Sequence, residues 1–236
     1  MPRFLIATPN YNRPDLLRRT AESFVRLYGS PADGDYRWVL IDDDSDAETC
    51  QTINAIQAEL GCWFQVVNTT GTRAVMACFN LLYANQPEPY RVYMESDYEW
   101  LLPGWLDYAA DILQADPRVG EVLTEHLPGV LARNEAAGHF VSAEEAQPHP
   151  YLRTWTPGFW CNRFGQFSMR VHMARPGLLR ELRPFPHIRN RGMEPHIGRY
   201  FHSLGWQVAH PLQTYADHIG KGNPAVPYAN MGGNPR

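Results

Sequence analysis

Two carboxylates one residue apart follow an apolar segment near the middle of the chain. Residues 91–94 are expected to form a strand, and Glu95 and Asp97 come directly after it. Side chains at positions i and i+2 of a strand point the same way. The two carboxylates could therefore present hard oxygen ligands to one Mg²⁺ or Mn²⁺ that also holds the phosphates of a substrate. Acid-x-acid triplets are also common in solvated loops, so this interpretation needs support from other segments.

That support comes from the strands expected upstream. Apolar segments alternate with helical patterns, and this alternation predicts a parallel sheet with helices on its faces. The predicted strands are 4–8, 36–41, 64–67 and 91–94, and the predicted helices are 15–28, 46–60, 72–84 and one that begins at 103–104 and continues to about 114. Ligands bind such sheets at the carboxyl ends of the strands. Three of these ends carry polar clusters, at residues 9–13, 42–45 and 95–97.

Each polar cluster also has a purely structural interpretation. Asn12 and Arg13 could cap the first helix ahead of Pro14, and Asp44 or Ser45 could cap the second helix, because short polar side chains satisfy free amide groups at helix starts. These alternatives remain open for the residues taken singly. The ordered set on consecutive strands favours a binding site.

Composition indicates a globular chain. With 236 residues, 44% of them hydrophobic, the chain can bury a large core as a single domain over residues 1–236. Its four cysteines lack C-x-x-C spacing, which predicts reduced core residues; they are Cys50, Cys62, Cys78 and Cys161. Neither a signal peptide nor a membrane span is evident, so we expect a cytoplasmic location.

Charge is distributed unevenly along the chain. Residues 151–200 contain nine arginines, no lysine and two acids, a net +7, so the rest of the chain carries −11 of the total of −4. Arginine in place of lysine can follow from codon usage, but codon usage does not explain the scarcity of acids. We therefore expect the second half to face an anionic group.

The second half is less regular than the first. A fifth strand is predicted at 119–124, followed by a loop-rich segment at 125–165 that could serve as a lid. Further predicted elements are a strand at 167–174, helices at 176–182 and 192–204, and strands at 206–209 and 212–215. This pattern divides the domain into residues 1–118, 119–220 and a flexible tail at 221–236.

Taken together, the motifs resemble the GT-A glycosyltransferases, and family 2 in particular, over residues 3–115. The resemblance rests on residues 8–13, 39–45, 71–73 before a helix that contains Asn80, 95–97 and 102–104. It implies an α/β, Rossmann-like GT-A fold, with a mostly parallel sheet, flanking helices and a loop-rich acceptor-binding half. The first half would bind a nucleoside-diphosphate sugar.

The resemblance also implies roles for individual residues. The loop with Pro9, Tyr11, Asn12 and Arg13 would hold the nucleotide base, usually uracil, with Tyr11 stacked on it or beside it. Asp43 would accept the N3 proton of the base, and Arg73 would reach the nucleotide. Two departures from the family pattern occur: Asp44 replaces the usual Gly or Asn, and Glu95 replaces the commoner Asp. Neither removes an oxygen ligand.

Catalytic groups are implied in the same way. Glu95 and Asp97 would hold Mn²⁺ or Mg²⁺ on the diphosphate, and His218, late in the chain, matches the position of a third metal ligand. Glu194 matches the acid that serves as general base in inverting members, although Pro195 takes the place of a second acid. A retaining enzyme on this fold would not need Glu194 as a base.

The resemblance predicts a metal-dependent transfer of sugar, most simply from a UDP-sugar, to an acceptor hydroxyl. The arginine-rich, aromatic window admits DNA or RNA with a hydroxylated base as acceptor, beside saccharides and lipid phosphates. A catalytically inactive sugar-nucleotide-binding protein is the main alternative. A sugar-nucleotide pyrophosphorylase would carry its Gly-Thr-Arg loop after strand one, whereas here it follows strand three, and a Rossmann oxidoreductase would need a Gly-x-Gly-x-x-Gly motif that the first strand lacks.

Overall fold

The computed structural model describes residues 2–32, 34–61, 65–69, 74–125, 159–162, 167–175 and 190–220, with the backbone alone for 159–162, 190–195 and 202. Ten strands and five helices lie in this part of the chain. The strands are β1 Phe4–Asn10, β2 Tyr36–Asp42, β3 Gln65–Asn68, β4 Tyr90–Tyr93, β5 Tyr98–Trp100, β6 Val119–Leu123, β7 Phe159–Asn162, β8 His172–Ala174, β9 Gln207–Pro211 and β10 Ala216–His218. The helices are α1 Pro14–Tyr28, α2 Ala47–Leu60, α3 Ala74–Leu82, α4 Trp105–Ala115 and α5 Asn190–Ser203.

Eight strands form one sheet in the order β3-β2-β1-β4-β8-β6-β9-β7. The pairs β3–β2, β2–β1, β1–β4 and β6–β9 are parallel, whereas β8 and β7 are antiparallel to their neighbours. Strands from both halves of the sequence therefore share a mostly parallel sheet, as predicted. The strand order reverses between β1 and β4, and such switch points form ligand crevices in α/β sheets.

Strand β1 shows why the sheet is covered on both faces. Its residues are nearly all buried, and alternate side chains join opposite clusters: Phe4 and Ile6 belong to the core beneath α1 and α4, and Leu5 and Ala7 to the core beneath α3. A strand that packs on both faces has no polar side, which explains the continuous apolar sequence.

Strands β5 and β10 form a separate two-stranded sheet beside α1. The edge of β5 that does not pair with β10 donates its amides to hydroxyls of that helix. The Tyr98 amide donates to Thr20 Oγ1 at 3.1 Å, and the Trp100 amide donates to Ser23 Oγ at 3.0 Å. Both hydroxyl residues are buried. They therefore fix the segment that follows the Glu95–Asp97 pair against the core.

The prediction of elements was accurate in the first half and weaker after it. Of the predicted strand at 167–174, only β8 forms, because two amides before it bond to side chains instead of a neighbouring strand. The Ser168 amide donates to Glu121 Oε2 at 3.2 Å, and the Arg170 amide donates to Ser168 Oγ at 3.3 Å. The prediction of a strand at 212–215 is wrong, because the strand in this region, β10, begins only at Ala216. Strands β5 and β7 were not predicted. The helix predicted at 176–182 lies outside the described residues. Among the described residues, no helix has the length and apolar character needed to cross a bilayer.

Candidate functional site

The polar clusters predicted from the sequence lie side by side at the carboxyl edge of the sheet. In the order β2, β1, β4, the strand ends are followed by Asp43, by the loop with Tyr11 and Arg13, and by Asp97. The residues come together because these three strands are parallel neighbours. The site spans the switch point between β1 and β4.

The loops after β1 and β2 are tied to each other by side chains. Asn10 Nδ2 donates to Asp42 Oδ1 at 2.8 Å, the Asn12 amide donates to Ser45 Oγ at 3.0 Å, and the Asp46 amide donates to Asn12 Oδ1 at 2.8 Å. Asn12 thus organises the loops, although the resemblance placed it among the nucleotide-binding residues. These bonds hold the intervening Tyr11 in a fixed position.

Helix capping differs from the sequence interpretation. The cap of α2 is Asp46, whose Oδ1 accepts from the Thr49 amide at 2.8 Å, and these bonds lower the pKa of Asp46. Asp44 and Ser45 do not cap this helix. Asp44 adopts a φ of 61°, in the left-handed region. Gly and Asn favour that conformation more than Asp does. No side-chain hydrogen bond caps α1, whose N-cap is Arg13.

The expected nucleotide-binding residues occupy distinct environments. Tyr11 is 36% exposed, so its ring is available to a base, and Pro9 is the penultimate residue of β1. Asp43 is buried, with Oδ1 accepting from Thr69 Oγ1 at 2.8 Å. The Asp43 backbone is also fixed, because its amide donates to the Asn10 carbonyl at 3.0 Å. Arg73 lies outside the described residues.

Asp97 is deeply buried at the carboxyl edge of the sheet. It is 3% exposed, and its Oδ2 accepts from Arg13 Nη1 at 2.5 Å and lies 3.0 Å from His218 Nε2. Its other oxygen, Oδ1, is buried without a hydrogen-bond partner. A buried, unpaired carboxylate oxygen is costly, so Oδ1 is an acceptor that the described residues leave unsatisfied. The structure thus unites Arg13, Asp97 and His218, three residues singled out from the sequence.

The β5–β10 pair brings His218 to Asp97. His218 is in register with Tyr98, its ring stacks on the Tyr98 ring at 5.0 Å, and the Ile219 amide donates to the Asp97 carbonyl at 2.9 Å. Burial, together with the nearby charges of Glu95 and Glu125, raises the pKa of Tyr98. The phenol therefore stays protonated at physiological pH.

Glu95 does not complete a cluster of three ligands. No group of three or more His, Cys, Asp or Glu side chains placed to hold a metal occurs in the described part of the chain. The reason is local: β4 ends at Tyr93 and a turn at residues 96–97 separates it from β5, so the strand alternation that would align Glu95 with Asp97 does not apply. Asp97 and His218 still fit a metal that takes its other ligands from a diphosphate, because such sites commonly use one or two protein ligands.

Gly220 touches the Asp97 carboxylate directly. A Cβ at this position would lie 2.2 Å from Asp97 Oδ2 and 2.9 Å from its Cγ. No real Cβ contact is that short, so only glycine fits beside this carboxylate. In the sequence, Gly220 is only the last residue of the predicted 119–220 segment.

Another buried carboxylate, Glu125, lies just beyond β6 and was not predicted from the sequence. It is 5% exposed, and its Oε2 is paired with Arg170 Nη1. The adjacent Thr124 carbonyl accepts from the Tyr215 amide at 2.8 Å, and the Tyr215 carbonyl accepts from the Leu101 amide at 2.8 Å. This chain of backbone bonds connects the end of β6 to the β5–β10 sheet.

The predicted acceptor half is described only in part. Glu194 lies in α5, but its side chain is outside the described set. Two arginines of the basic window are used within the protein: Arg170 pairs with Glu125, and Arg175 donates to the carbonyls of Val119 and Asp116. The tail at 221–236 and most of the lid candidate at 125–165 lie outside the described residues.

Comparisons by sequence find no counterpart: no protein-family model and no curated protein matches the chain. Comparison of the structure with solved structures finds similar proteins. The mannosyltransferase PcManGT from Pyrobaculum calidifontis, in complex with GDP-Man and Mn²⁺, is 18% identical with a TM-score of 0.62, over 94% of this chain and 58% of its own. S. aureus TarS 1-349 in complex with UDP-GlcNAc is 15% identical with a TM-score of 0.56, over 94% of this chain and 61% of its own.

A mycobacterial protein is similar to the same degree, with 17% identity and a TM-score of 0.53 over 98% of this chain and 70% of its own. The chain spans about three fifths of the mannosyltransferase and TarS chains. At these identities the likeness concerns the fold. The chain has the GT-A fold, the Rossmann-like α/β fold found in nucleotide-sugar glycosyltransferases, as its sequence predicts.

Proposed function

We propose that the protein is a metal-dependent glycosyltransferase that moves a sugar from a nucleoside-diphosphate sugar, most simply a UDP-sugar, to an acceptor hydroxyl with inversion. One observation carries the proposal: Asp97, buried at the switch point of a GT-A fold, has Oδ2 in contact with Arg13 and His218 and leaves Oδ1 unpaired. Structures of the same fold contain GDP-Man with Mn²⁺ and UDP-GlcNAc.

In this proposal Asp97 and His218 hold Mn²⁺ or Mg²⁺, whose remaining ligands come from the diphosphate, and Glu95 adds negative charge beside the site without completing a cluster of three ligands. The metal would supply Lewis-acid stabilisation of the negative charge that develops on the departing diphosphate. Arg13 lies close enough to share that task, because its guanidinium already contacts Asp97. Imidazole and carboxylate together suit Mn²⁺ well.

The nucleotide would lie along the ends of β1 and β2. Tyr11 offers an exposed ring to the base, and Asp43 offers a carboxylate whose position is fixed by Thr69. Pro9 and Arg73 belong to the same proposed surface. The cross-links made by Asn12 preorganise this half, so that little ordering is required when the donor binds.

Glu194 is the proposed general base. Removal of the acceptor proton by a carboxylate opposite the leaving group would let the oxygen attack the anomeric carbon in a single displacement, which inverts that centre. The acceptor is a saccharide, a lipid phosphate or a nucleic acid bearing a hydroxylated base; salt-sensitive acceptor kinetics would point to the polyanionic members of this set. A cytoplasmic location is part of the proposal and agrees with the free thiols of Cys50 and Cys78.

A second function is favoured by one specific contact. Asp97 Oδ2 is already occupied by Arg13 and lies beside His218. A guanidinium in this position could neutralise the carboxylate without a metal, as a catalytically inactive sugar-nucleotide-binding protein would require. Pyrophosphorylase activity has no comparable support.

Calorimetric titration with UDP, GDP, UDP-glucose, UDP-GlcNAc and GDP-mannose, each with and without Mn²⁺, tests the proposal. We expect one nucleotide family to bind, more tightly with Mn²⁺, and its sugar nucleotide to be hydrolysed slowly without acceptor. Metal-independent binding without hydrolysis would favour the inactive binding protein. If none of these compounds binds, the proposed function is wrong.

A further inference from the structure

Arg13 and Asp97 form a close charged contact at the centre of the candidate site. Arg13 Nη1 donates to Asp97 Oδ2 at 2.5 Å, and the two side chains are 18% and 4% exposed. Hydrogen bonds between charged groups are shorter and stronger than neutral ones. In this structure the negative charge of Asp97 is therefore balanced by a residue of the protein itself.

The oxygen that Arg13 contacts is fully occupied. His218 Nε2 lies 3.0 Å from the same Oδ2, and a carboxylate oxygen has lone pairs for about two such partners. A divalent cation on Oδ2 therefore requires one of these contacts to break. A cation on Oδ1 would still lie beside the guanidinium, and like charges this close repel each other.

Arg13 is the partner that can leave. The His218 ring stacks on the Tyr98 ring at 5.0 Å, and its backbone belongs to β10, which pairs with β5. The Arg13 guanidinium has only Asp97 as a hydrogen-bonding partner among the described residues. Loss of that one bond thus frees the whole side chain.

Arg37 shows how a guanidinium is held in this fold when its role is structural. Its Nε and Nη2 donate to the two oxygens of the buried Glu88 at 2.6 and 3.3 Å. Its Nη1 donates to Gln65 and its Nη2 also to Gln86, each at 3.1 Å. Every nitrogen of Arg37 has a partner, whereas Arg13 Nε and Nη2 have none in the described part of the chain.

A displaced Arg13 would remain at the proposed diphosphate site. It is the N-cap of α1, directly after the β1 loop, and β1 and β4 are adjacent parallel strands. Adjacent strands are about 4.8 Å apart, so Arg13 reaches Asp97 across a single strand spacing. A guanidinium binds phosphate oxygens in a bidentate manner. The diphosphate of a donor would therefore give the released side chain a new charged partner.

From these contacts we infer that Arg13 is an exchangeable counter-ion: it holds the Asp97 carboxylate in the metal-free protein, leaves it when a divalent cation binds, and then binds the diphosphate of the donor. The inference rests on the proposed function, because it requires a metal and a nucleotide at this site. The exchange makes the two ligands cooperative. A metal alone has to displace Arg13, and a diphosphate accepts the displaced group, so each ligand raises the affinity for the other.

Calorimetric titration with Mn²⁺ alone tests the first step of the exchange. Arg13→Gln should bind Mn²⁺ about tenfold more tightly than the parent, because the cation no longer competes with a charged hydrogen bond. Arg13→Lys, which keeps a positive charge, should bind Mn²⁺ about as weakly as the parent. Arg19→Gln is the matched control on the same helix, since Arg19 pairs with Glu99 at 2.7 Å in an exposed position. It should leave the Mn²⁺ affinity unchanged.

Titration with UDP and GDP at saturating Mn²⁺ tests the second step. In Arg13→Gln the dissociation constant of the nucleoside diphosphate that the parent binds should rise about tenfold, because a charged contact to the diphosphate is lost. The same substitution thus strengthens binding of one ligand and weakens binding of the other. A purely structural role for Arg13 would weaken both, because the site itself would be disordered.

The parent protein provides a check that does not depend on the folding of Arg13→Gln. Addition of Mg²⁺, which is diamagnetic, should shift the Nε–H NMR signal of Arg13, identified by its absence in Arg13→Lys. The signal of Arg37, which keeps all its partners, should stay in place. An Arg13 signal that Mg²⁺ does not move overturns the inference.

The titrations have equally definite contrary outcomes. Unchanged or weaker Mn²⁺ binding in a folded Arg13→Gln protein overturns the inference, as does an unchanged affinity for the nucleoside diphosphate. If the parent binds a nucleoside diphosphate with Mn²⁺ and only these Arg13 effects are missing, the proposed function stands and the exchange is wrong. If the parent binds neither Mn²⁺ nor a nucleotide, the proposed function fails first and the exchange falls with it.

Discussion

Replacement of Gly220 by alanine should abolish most activity while the protein stays folded. The added Cβ would begin 2.2 Å from Asp97 Oδ2 and 3.1 Å from Asp97 Cβ, whereas ordinary contacts start at 3.4 Å. The carboxylate must therefore move by roughly 1 Å, and a displacement of that size can lower the rate about 100-fold. At about 1.36 kcal/mol for each factor of ten, this is about 2.7 kcal/mol of transition-state stabilisation.

The assay is release of nucleoside diphosphate from whichever sugar nucleotide the parent protein hydrolyses, with Mn²⁺ affinity measured in parallel. Gly205→Ala is the matched control. Its φ of 71° disfavours a side chain, yet a Cβ there meets nothing within 4 Å. The control should thus lose about 1 kcal/mol or more of stability and keep its activity. Turnover of Gly220→Ala within about threefold of the parent would refute the reasoning.

Other predictions follow from the same site and from one buried histidine. Asp97→Asn should lower transfer about 100-fold or more and weaken Mn²⁺ binding, because the amide keeps the shape but loses the charge; near-normal turnover in the presence of EDTA would contradict a metal site. Asp43→Ala should weaken UDP binding by about 1–3 kcal/mol, measured by calorimetry. An unchanged affinity would exclude Asp43 as a nucleotide-binding residue and leave it only its hydrogen bond with Thr69. Glu194→Gln should suppress transfer but preserve donor and metal binding, since only proton acceptance is lost; parent-like transfer would exclude it as the base. Burial lowers the pKa of His172 to about 4, so the unfolded state, with a pKa near 6.5, takes up the proton first as the pH falls. Stability should be greatest above pH about 6.5 and be roughly 2 kcal/mol lower at pH 5; urea unfolding with the same midpoint at both pH values would contradict this.

The first half of the fold was predictable because its signals are local. Strands such as β1 are continuous apolar segments followed by helical periodicity, and that alternation specifies a parallel sheet from sequence alone. The same logic brings Asp43, Arg13 and Asp97 to one edge. Strands β5 and β10 escaped prediction because three residues are too few to show periodicity.

Parts of the site were not predictable because they depend on contacts distant in sequence. Glu125 gains its environment from Arg170, 45 residues later, and no spacing rule links the two. Gly220 looks like any loop glycine until Asp97 is packed against it. The prediction of the α2 cap failed although all the residues involved are close in sequence. Residues 43–46 are four candidate caps in a row, and the left-handed backbone of Asp44 shifts the cap to Asp46.

The β5–β10 pair has a consequence for the order of events during synthesis. Asp97 emerges from the ribosome 121 residues before His218, and the strands that hold the nucleotide loops are complete by then. A nascent chain could thus form the β3-β2-β1-β4 sheet early and still lack half of the proposed metal site until a three-residue strand arrives. Maturation of the site would then be a late docking event, separable from folding of the sheet.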